Sequence, residues 1–336
     1  MLTNEQAKDR AADLVRRAMT AGADACDVVY SGDGATQVQM RLGVLEDVDR
    51  SEGEDIGLRV FVGNRSASAS SSDLSIEAMN ALAERAVAMA REAPEDPYAG
   101  LAPENRLMQD ELPALELFDK TEVHPQDLRE RALAAEEAAR SVKGVTNSEG
   151  AGASASMAVM ALATSHGFAA SYSGSSHGIS ASVLAGEGGS MQRDYAYHSA
   201  RHLSDLEAPQ DIGKVAGDRA IARLNPIKLK SGAMPVIFDP RVGNSLLGHL
   251  AGAITGAAVA RKTSFLLDRL EKAVFASGVQ VIDDPLRLRG LRSRPFDGEG
   301  LATHRTQIIL DGMLTGWLVD SASGRQLGLP PTGHAT

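Results

Sequence analysis

Residues 57–70, GLRVFVGNRSASAS, contain two short strand-like runs, Gly57–Val62 and Ser66–Ser70, joined by a turn that includes a glycine. Two similar runs precede them, at Asp27–Ser31 and Thr36–Leu42, and glycines bound these as well. Short runs separated by glycine-containing turns are typical of antiparallel strands. The segment therefore predicts an antiparallel meander.

A helix is predicted on each side of this meander. In Asn4–Ala21 the apolar residues recur at steps of three and four, which places them on one face of a helix. Ser75–Arg91 has the same pattern. The next segment, residues 94–125, holds five of the chain's 13 prolines, a composition typical of a connector between domains.

The same order of elements recurs after the connector. Pro125–Val142 is predicted to be a helix, four strand-like runs follow within residues 145–184, and a final helix covers about Asp211–Leu224. The recurrence indicates a diverged duplication, with two unrelated α+β pieces as the alternative. The predicted fold class is α+β, with two helix–antiparallel-meander–helix units followed by a partial C-terminal α+β region. The predicted domains are residues 1–105, 106–225 and 229–336.

The third region is predicted to contain a strand at Met234–Phe238 and helices at Val242–Ala260 and Ser264–Phe275. Val242–Ala260 has 19 residues without a charged side chain, a length that could span a membrane. Its polar side chains and four glycines favour a buried helix instead. Further on, Asp311-Gly312 predicts a hairpin turn.

Charge and cysteine content exclude several functional classes. The net charge is −10, so the chain lacks the basic surplus of a protein that binds nucleic acid through bulk charge. Its single cysteine, Cys26, excludes an internal disulfide and any multi-cysteine metal site. The first residues, MLTNEQAKDR, carry no apolar signal-peptide segment, and the expected location is the cytoplasm.

Neither a metal site nor a nucleophile is evident in the sequence. The eight histidines form no HExxH or HExxxH motif, the helical spacings that bring two imidazoles to one zinc ion. His198 and His202 are four residues apart in a predicted strand, which would separate them by about 13 Å; a metal pair is the less favoured interpretation. His177 lies near Ser175, but adjacency in sequence does not make a catalytic pair. Cys26 is predicted to be a buried small apolar residue.

One helix of the third region carries a strip of glycines. Gly248, Gly252 and Gly256 recur at four-residue steps and would form a shallow groove. Another helix packed in this groove is the favoured interpretation, and a peptide or subunit surface is the alternative. His249 lies at the edge of the apolar stripe of this helix. A half-buried structural histidine is the favoured interpretation, and a catalytic one is the alternative.

A loop near residue 290 is rich in arginine. Four arginines, the last of them Arg294, are followed by Asp297 and Glu299. Such a cluster could bind an anion or the carboxylate of a peptide. The favoured interpretation is a network of arginine–carboxylate pairs within the loop.

Four longer stretches carry a resemblance to a known family. They are EDIGLRVFVGNRSASASSSDLS (54–75), GEGGSMQRDYAYHSARHLSDLE (186–207), PVIFDPRVGNSLLGHLAGAITGAAVARKTSFL (235–266) and IDDPLRLRGLRSRPFDGEGLATHRTQIILDGMLTGWLVDSASGRQLGL (282–329). Over essentially its whole length, the sequence resembles the TldD/PmbA family, and within it the PmbA branch. Members of this family continue beyond a segment like Gly333-His334-Ala335, so the third region is expected to be incomplete.

The resemblance implies a cytoplasmic heterodimeric metalloprotease that acts on unfolded peptides. In this family the TldD-type subunit carries a helical HExxxH motif and binds zinc, whereas the PmbA-type subunit lacks the motif. If Gly248 stands at the first histidine position, His249 replaces the glutamate and Ala253 the second histidine. If His249 stands first, Leu250 and Ile254 take those two positions. Neither register supplies zinc ligands.

The expected function is therefore that of a non-catalytic partner subunit. No cofactor is expected in this chain, and zinc is expected in a TldD-type partner. The partners expected are that subunit, or a second copy of this chain, and unfolded peptide, with no nucleic acid and no membrane. The alternatives are a peptide-binding or regulatory protein that acts without a TldD-type subunit, and a self-sufficient hydrolase. The candidate contact residues are Gly248, His249, Gly252, Arg294, Asp297 and Glu299.

Overall fold

The computed structural model describes every residue from Met1 to Thr336. Its main feature is one antiparallel sheet of six strands: β1 (Ala25–Arg41), β2 (Val44–Val62), β3 (Arg65–Ser71), β4 (Val145–Thr164), β5 (Ala169–Ala185) and β6 (Gln192–Ala200). Their order across the sheet is β3-β2-β1-β4-β5-β6. The two predicted meanders therefore share one sheet, because β1 pairs with β4 from Asp27↔Thr164 to Met40↔Ala151.

Four long helices cover one face of this sheet. They are α1 (Asn4–Thr20), α2 (Ile76–Glu92), α3 (Pro125–Ser141) and α4 (Pro209–Ala222). Along β1, Val28 and Tyr30 lie in a core beneath α1 and α2, whereas Val38 and Met40 lie in a second core with residues of α3 and α4. All four side chains are fully buried and point to the same face, as the two-residue period of a strand requires. The α+β prediction is confirmed.

The strands are longer than the sequence predicted. The runs Asp27–Ser31 and Thr36–Leu42 belong to one strand, which continues through Gly32 and Gly34. The first part of β2, residues 44–55, was not predicted at all. It consists mainly of exposed polar side chains on both faces, so no alternation of apolar and polar residues marks it as a strand.

The third region contains shorter elements: α5 (Pro240–Ala253), α6 (Gly256–Ala260), β7 (Val281–Asp283), β8 (Thr306–Leu310), β9 (Met313–Leu314) and α7 (Ser321–Leu327). The predicted hairpin at Asp311-Gly312 is confirmed, since it joins β8 to β9. The predicted strand at Met234–Phe238 is absent. The predicted helix at Ser264–Phe275 is reduced to a 3-10 turn at Leu267–Arg269.

The prediction of one buried helix over Val242–Ala260 was wrong. The helix ends where Leu318 donates a hydrogen bond to Ile254 O and accepts one from Gly256 N, and a second helix starts beyond this bridge. Much of α5 is exposed, including Leu246 and Leu247. None of the helices is both long enough and apolar enough to cross a lipid bilayer.

A buried carboxylate holds the turn between β1 and β2. Glu136 of α3 is fully buried and accepts hydrogen bonds from Leu42 N (2.6 Å), Gly43 N (2.8 Å) and Ser148 Oγ (2.6 Å). Leu42 and Gly43 both have positive φ, at 52° and 79°, as a tight hairpin turn requires. The contact fixes the turn against α3 and β4.

We predict that Glu136→Gln destabilises the fold by about 1–3 kcal/mol, because its amide brings buried donors to a site that supplies only donors. Glu137→Gln, at the exposed neighbouring position, is the matched control and should change the free energy of unfolding little. Urea denaturation of both variants checks this. Equal stability of the two would show that the buried carboxylate does not hold the turn.

Candidate functional site

A cleft of about 920 Å³ lies between the uncovered face of the sheet and the third region. Because Val28 and Leu58 point into the helix-covered core, Asp27, Val29 and Arg59 face the cleft. The opposite wall comprises Ala251, Gly252, Thr255 and Gly256 at the α5–α6 junction, and Arg294, Phe296, Asp297 and Glu299 from the arginine-rich loop. Four of the six predicted contact residues thus line one cleft.

The sheet side of the cleft carries one ion pair. The Arg59 Nε atom lies 3.0 Å from Asp27 Oδ1, and a second guanidinium nitrogen contacts Asp27 Oδ2. Burial disfavours the charged guanidinium, but the hydrogen bonds and charge of Asp27 outweigh it and raise the pKa of Arg59. The guanidinium and the carboxylate satisfy each other's hydrogen bonds, so neither is left free in the cleft.

Helix α5 is attached to the edge of the sheet by Arg241. Its guanidinium contacts Asp194 of β6 at 2.6 Å and Asp239 at 3.1 Å, and lies 5.0 Å from the centre of the Tyr195 ring. The hydrogen bond from Arg241 lowers the pKa of Asp239 to about 2. The contact with Asp194 fixes the start of α5 to the sheet, and α5 forms one wall of the cleft.

The two loop carboxylates are occupied by the chain itself. Asp297 Oδ1 accepts hydrogen bonds from Glu299 N and Leu301 N, both at 2.9 Å, and Oδ2 accepts one from Ala335 N at 3.0 Å. Glu299 Oε2 accepts one from Ser321 N at 3.0 Å, and burial raises the pKa of Glu299. Asp297 and Glu299 therefore stabilise the conformation of the loop that forms this wall of the cleft.

The predicted network of arginine–carboxylate pairs within the loop is absent. Its carboxylates bind main-chain amides and Ser321, and Arg289 instead pairs with Glu116 (2.7 Å) and Asp205 (3.2 Å), both outside the loop. Arg294 is half-buried in the cleft wall, and its guanidinium has no hydrogen-bond or ion-pair partner within the chain. It is the cleft's unpaired cation.

The glycine strip is divided between two environments. A Cβ atom at Gly248 or Gly252 would meet no other atom within 4 Å, whereas one at Gly256 would lie 2.3 Å from Ser323 Oγ. Only Gly256 therefore permits close packing, and the interpretation that another helix packs along the whole strip was wrong. Gly252 opens into the cleft, while Gly248 lies outside it.

The residues of α5 do not fit a zinc ion. His249 is exposed and does not line the cleft, so the interpretation as a half-buried structural histidine was wrong. The two positions that HExxxH would fill with histidine hold Gly248 and Ala253 in one register and His249 and Ile254 in the other, so neither register supplies two ligands. Across the chain, no three His, Cys, Asp or Glu side chains come together in a way that could hold a metal ion.

The remaining sequence candidates have separate surroundings. His202 Nε2 lies 2.8 Å from Glu116 O, whereas His198 Nδ1 accepts a hydrogen bond from Glu207 N. Ser175 Oγ donates to the carbonyl oxygen of Arg201 at 2.8 Å. Cys26 is fully buried, as predicted, and burial raises the pKa of its thiol to about 12.

Sequence comparison identifies the family. Three domain models of the PmbA/TldA metallopeptidases match the chain: domain 1 over residues 26–90, the central domain over 118–224 and the C-terminal domain over 231–336. The chain belongs to the PmbA/TldD family.

Individual PmbA/TldD relatives agree with this assignment. The chain is 41% identical over 313 residues to the metalloprotease PmbA of Escherichia coli O157:H7, covering 93% of this chain and 69% of that protein. It is 36% identical over 322 residues to a PmbA homologue of Haemophilus influenzae, covering 96% and 71%. A Bacteroides thetaiotaomicron crystal structure, titled as a suggested modulator of DNA gyrase, superposes with a TM-score of 0.92 at 25% identity, covering 100% and 77%.

One buried histidine makes stability depend on pH. His177 is 3% exposed, and neither ring nitrogen forms a hydrogen bond, although Nε2 lies 3.4 Å from Asp119 Oδ2. Burial lowers the pKa of His177 below 6.5; Asp119 opposes this shift, while Arg131 and His202 add to it. The unfolded chain therefore binds the proton more readily than the folded chain.

We predict that acidification from about pH 7.5 to about pH 5.5 costs the wild type more stability than it costs His177→Gln, because the loss begins near the unfolded pKa of about 6.5. The exposed-site variant His249→Gln should follow the wild type. Urea denaturation at both pH values measures the difference. Identical losses in the wild type and His177→Gln would contradict the prediction.

Proposed function

We propose that this chain is the subunit without zinc ligands in a cytoplasmic PmbA/TldD-type metalloprotease complex, where its cleft holds unfolded peptide. The observation that carries the proposal is that α5 borders the cleft without supplying zinc ligands. The helix borders a cleft large enough for several residues of extended peptide, yet neither register of HExxxH gives it two zinc ligands. Zinc is therefore assigned to a TldD-type partner.

The polar groups of the cleft indicate how peptide would bind. Asp27 neutralises Arg59, and Asp297 and Glu299 accept hydrogen bonds from the chain's own donors. Arg294 is left to donate to a peptide carbonyl or carboxylate oxygen. Gly252 leaves room for the peptide main chain beside α5, since no side chain projects there.

An exposed apolar surface supports association with another subunit. Residues 226–239 form neither a helix nor a strand, and Ile237, Ile227 and Val236 are 97%, 82% and 66% exposed. Exposed patches of this kind mark association surfaces. In this proposal the surface binds a TldD-type subunit and, when that subunit is absent, a second copy of the chain.

We predict that Gly252→Leu weakens binding of a fluorescently labelled unfolded peptide by about tenfold or more, because the new side chain fills the cleft. Gly248→Leu is the matched control. It removes a glycine from the same helix, where an added side chain also meets open space, but outside the cleft. Fluorescence anisotropy measures both. If the two variants bind peptide equally well, the cleft is not the binding site.

The complex itself can be reconstituted from separately purified subunits. The isolated chain should hold no stoichiometric zinc and cleave no peptide. Addition of a TldD-type subunit should give chelator-sensitive cleavage that exceeds the activity of that subunit alone. Chelator-sensitive cleavage by the isolated chain would contradict the proposal. Peptide binding without any effect on the TldD-type subunit would favour the alternative, a peptide-binding protein that acts alone.

A further inference from the structure

Part of the six-stranded sheet has an unpaired edge. Strand β3 pairs with β2 only from Ile56 to Val62, so residues 44–55 of β2 pair with β1 on one side and with nothing on the other. These 12 residues are almost all exposed and extend about 40 Å at the usual rise of a strand. We call them the β2 edge. Its outward main-chain N–H and C=O groups could pair with an added strand.

The edge is open because β3 stops early. After Ser71 the chain turns away from the sheet into α2. Ser71 Oγ accepts a hydrogen bond from Asp73 N (3.1 Å), and Asp73 Oδ1 accepts one from Ser75 N (2.9 Å). A strand added to the β2 edge would continue the line of β3 beyond Ser71. One of its ends would then lie near Ser68–Ser70 and Gly57, which line the cleft.

The charge of the β2 edge determines what can bind there. Its acidic residues are Glu46, Asp47, Asp49, Glu52, Glu54 and Asp55, and its only basic residue is Arg50. Glu46, Glu52 and Glu54 pair with Arg41 or the N-terminal amine. Asp47, Asp49 and Asp55 have no such partner and lie on one face of the strand, because no register shift separates them.

We infer that the β2 edge binds an extended peptide segment with lysine or arginine at alternate positions, by adding it as a strand to the sheet. Main-chain pairing would supply the contact, and basic side chains would face Asp47, Asp49 and Asp55. Edge-to-edge pairing of two copies is disfavoured, because it would bring two acidic edges together. The inference goes beyond the proposed function, since this site lies outside the cleft and needs neither zinc nor a partner subunit.

Three labelled ten-residue peptides test the inference against the full chain by fluorescence anisotropy. The first has lysine at every second position, the second replaces each lysine by glutamate, and the third is the lysine peptide with alternate main-chain amides methylated. The lysine peptide should bind. The glutamate peptide should bind at least about tenfold more weakly because of its charge, and so should the methylated peptide, because its strand pairing is blocked. Equal binding of the lysine and methylated peptides would overturn strand addition.

Two charge-matched triple variants locate the site. Asp47→Lys/Asp49→Lys/Asp55→Lys should weaken binding of the lysine peptide by about tenfold or more, whereas Glu84→Lys/Glu92→Lys/Glu137→Lys changes net charge equally at exposed helix positions and should weaken it much less. Equal effects of the two triple variants would overturn the inference.

Hydrogen exchange shows directly whether a strand is added. Bound lysine peptide should slow amide exchange in residues 44–55, since outward amides of β2 become hydrogen-bonded. Unchanged exchange in these residues would overturn the inference. A dimer that the edge variant abolishes would also overturn it, because a second copy of the chain would then occupy the edge.

Discussion

The pairing of β1 with β4 is the constraint on which the rest of the structure depends. It joins two helix–meander–helix units into one sheet, and it directs the apolar residues of both units to a single face. Four helices cover that face, so the opposite face is free to form a wall of the cleft. The site and the unpaired edge are both consequences of how this sheet is assembled.

Within that frame, the third region determines what the cleft can do. Arg241 fixes the start of α5 to Asp194 of β6, and the bridge through Leu318 fixes its end. The helix is thus held beside the sheet, but it lacks the pair of histidines that an HExxxH motif would supply. We propose that this geometry binds peptide, with Arg294 as the unpaired donor.

Several elements could be predicted from local pattern, and others could not. The spacing of apolar residues located all four ends of α1 and α2 to within one residue, because each helix buries one continuous stripe. The first part of β2 was missed because it buries neither face. The buried helix predicted over Val242–Ala260 failed because apolar composition does not say whether another element covers it.

The candidate site, too, was predictable from the sequence only in part. Gly252, Arg294, Asp297 and Glu299 were identified from sequence, and the structure places all four around the cleft. Their roles were not predictable, since the partners of Asp297 are main-chain amides that only the folded loop brings together. Arg59 and Asp27 were missed because they are separated by a whole hairpin and meet only through strand register.

Native mass spectrometry of the isolated chain, titrated with zinc and then with an unfolded peptide, tests the central claim most directly. The account predicts a peptide-bound species without zinc, whose abundance does not change when zinc or a chelator is added. A zinc-bound species that forms at stoichiometric metal, or peptide binding that requires the metal, would contradict it.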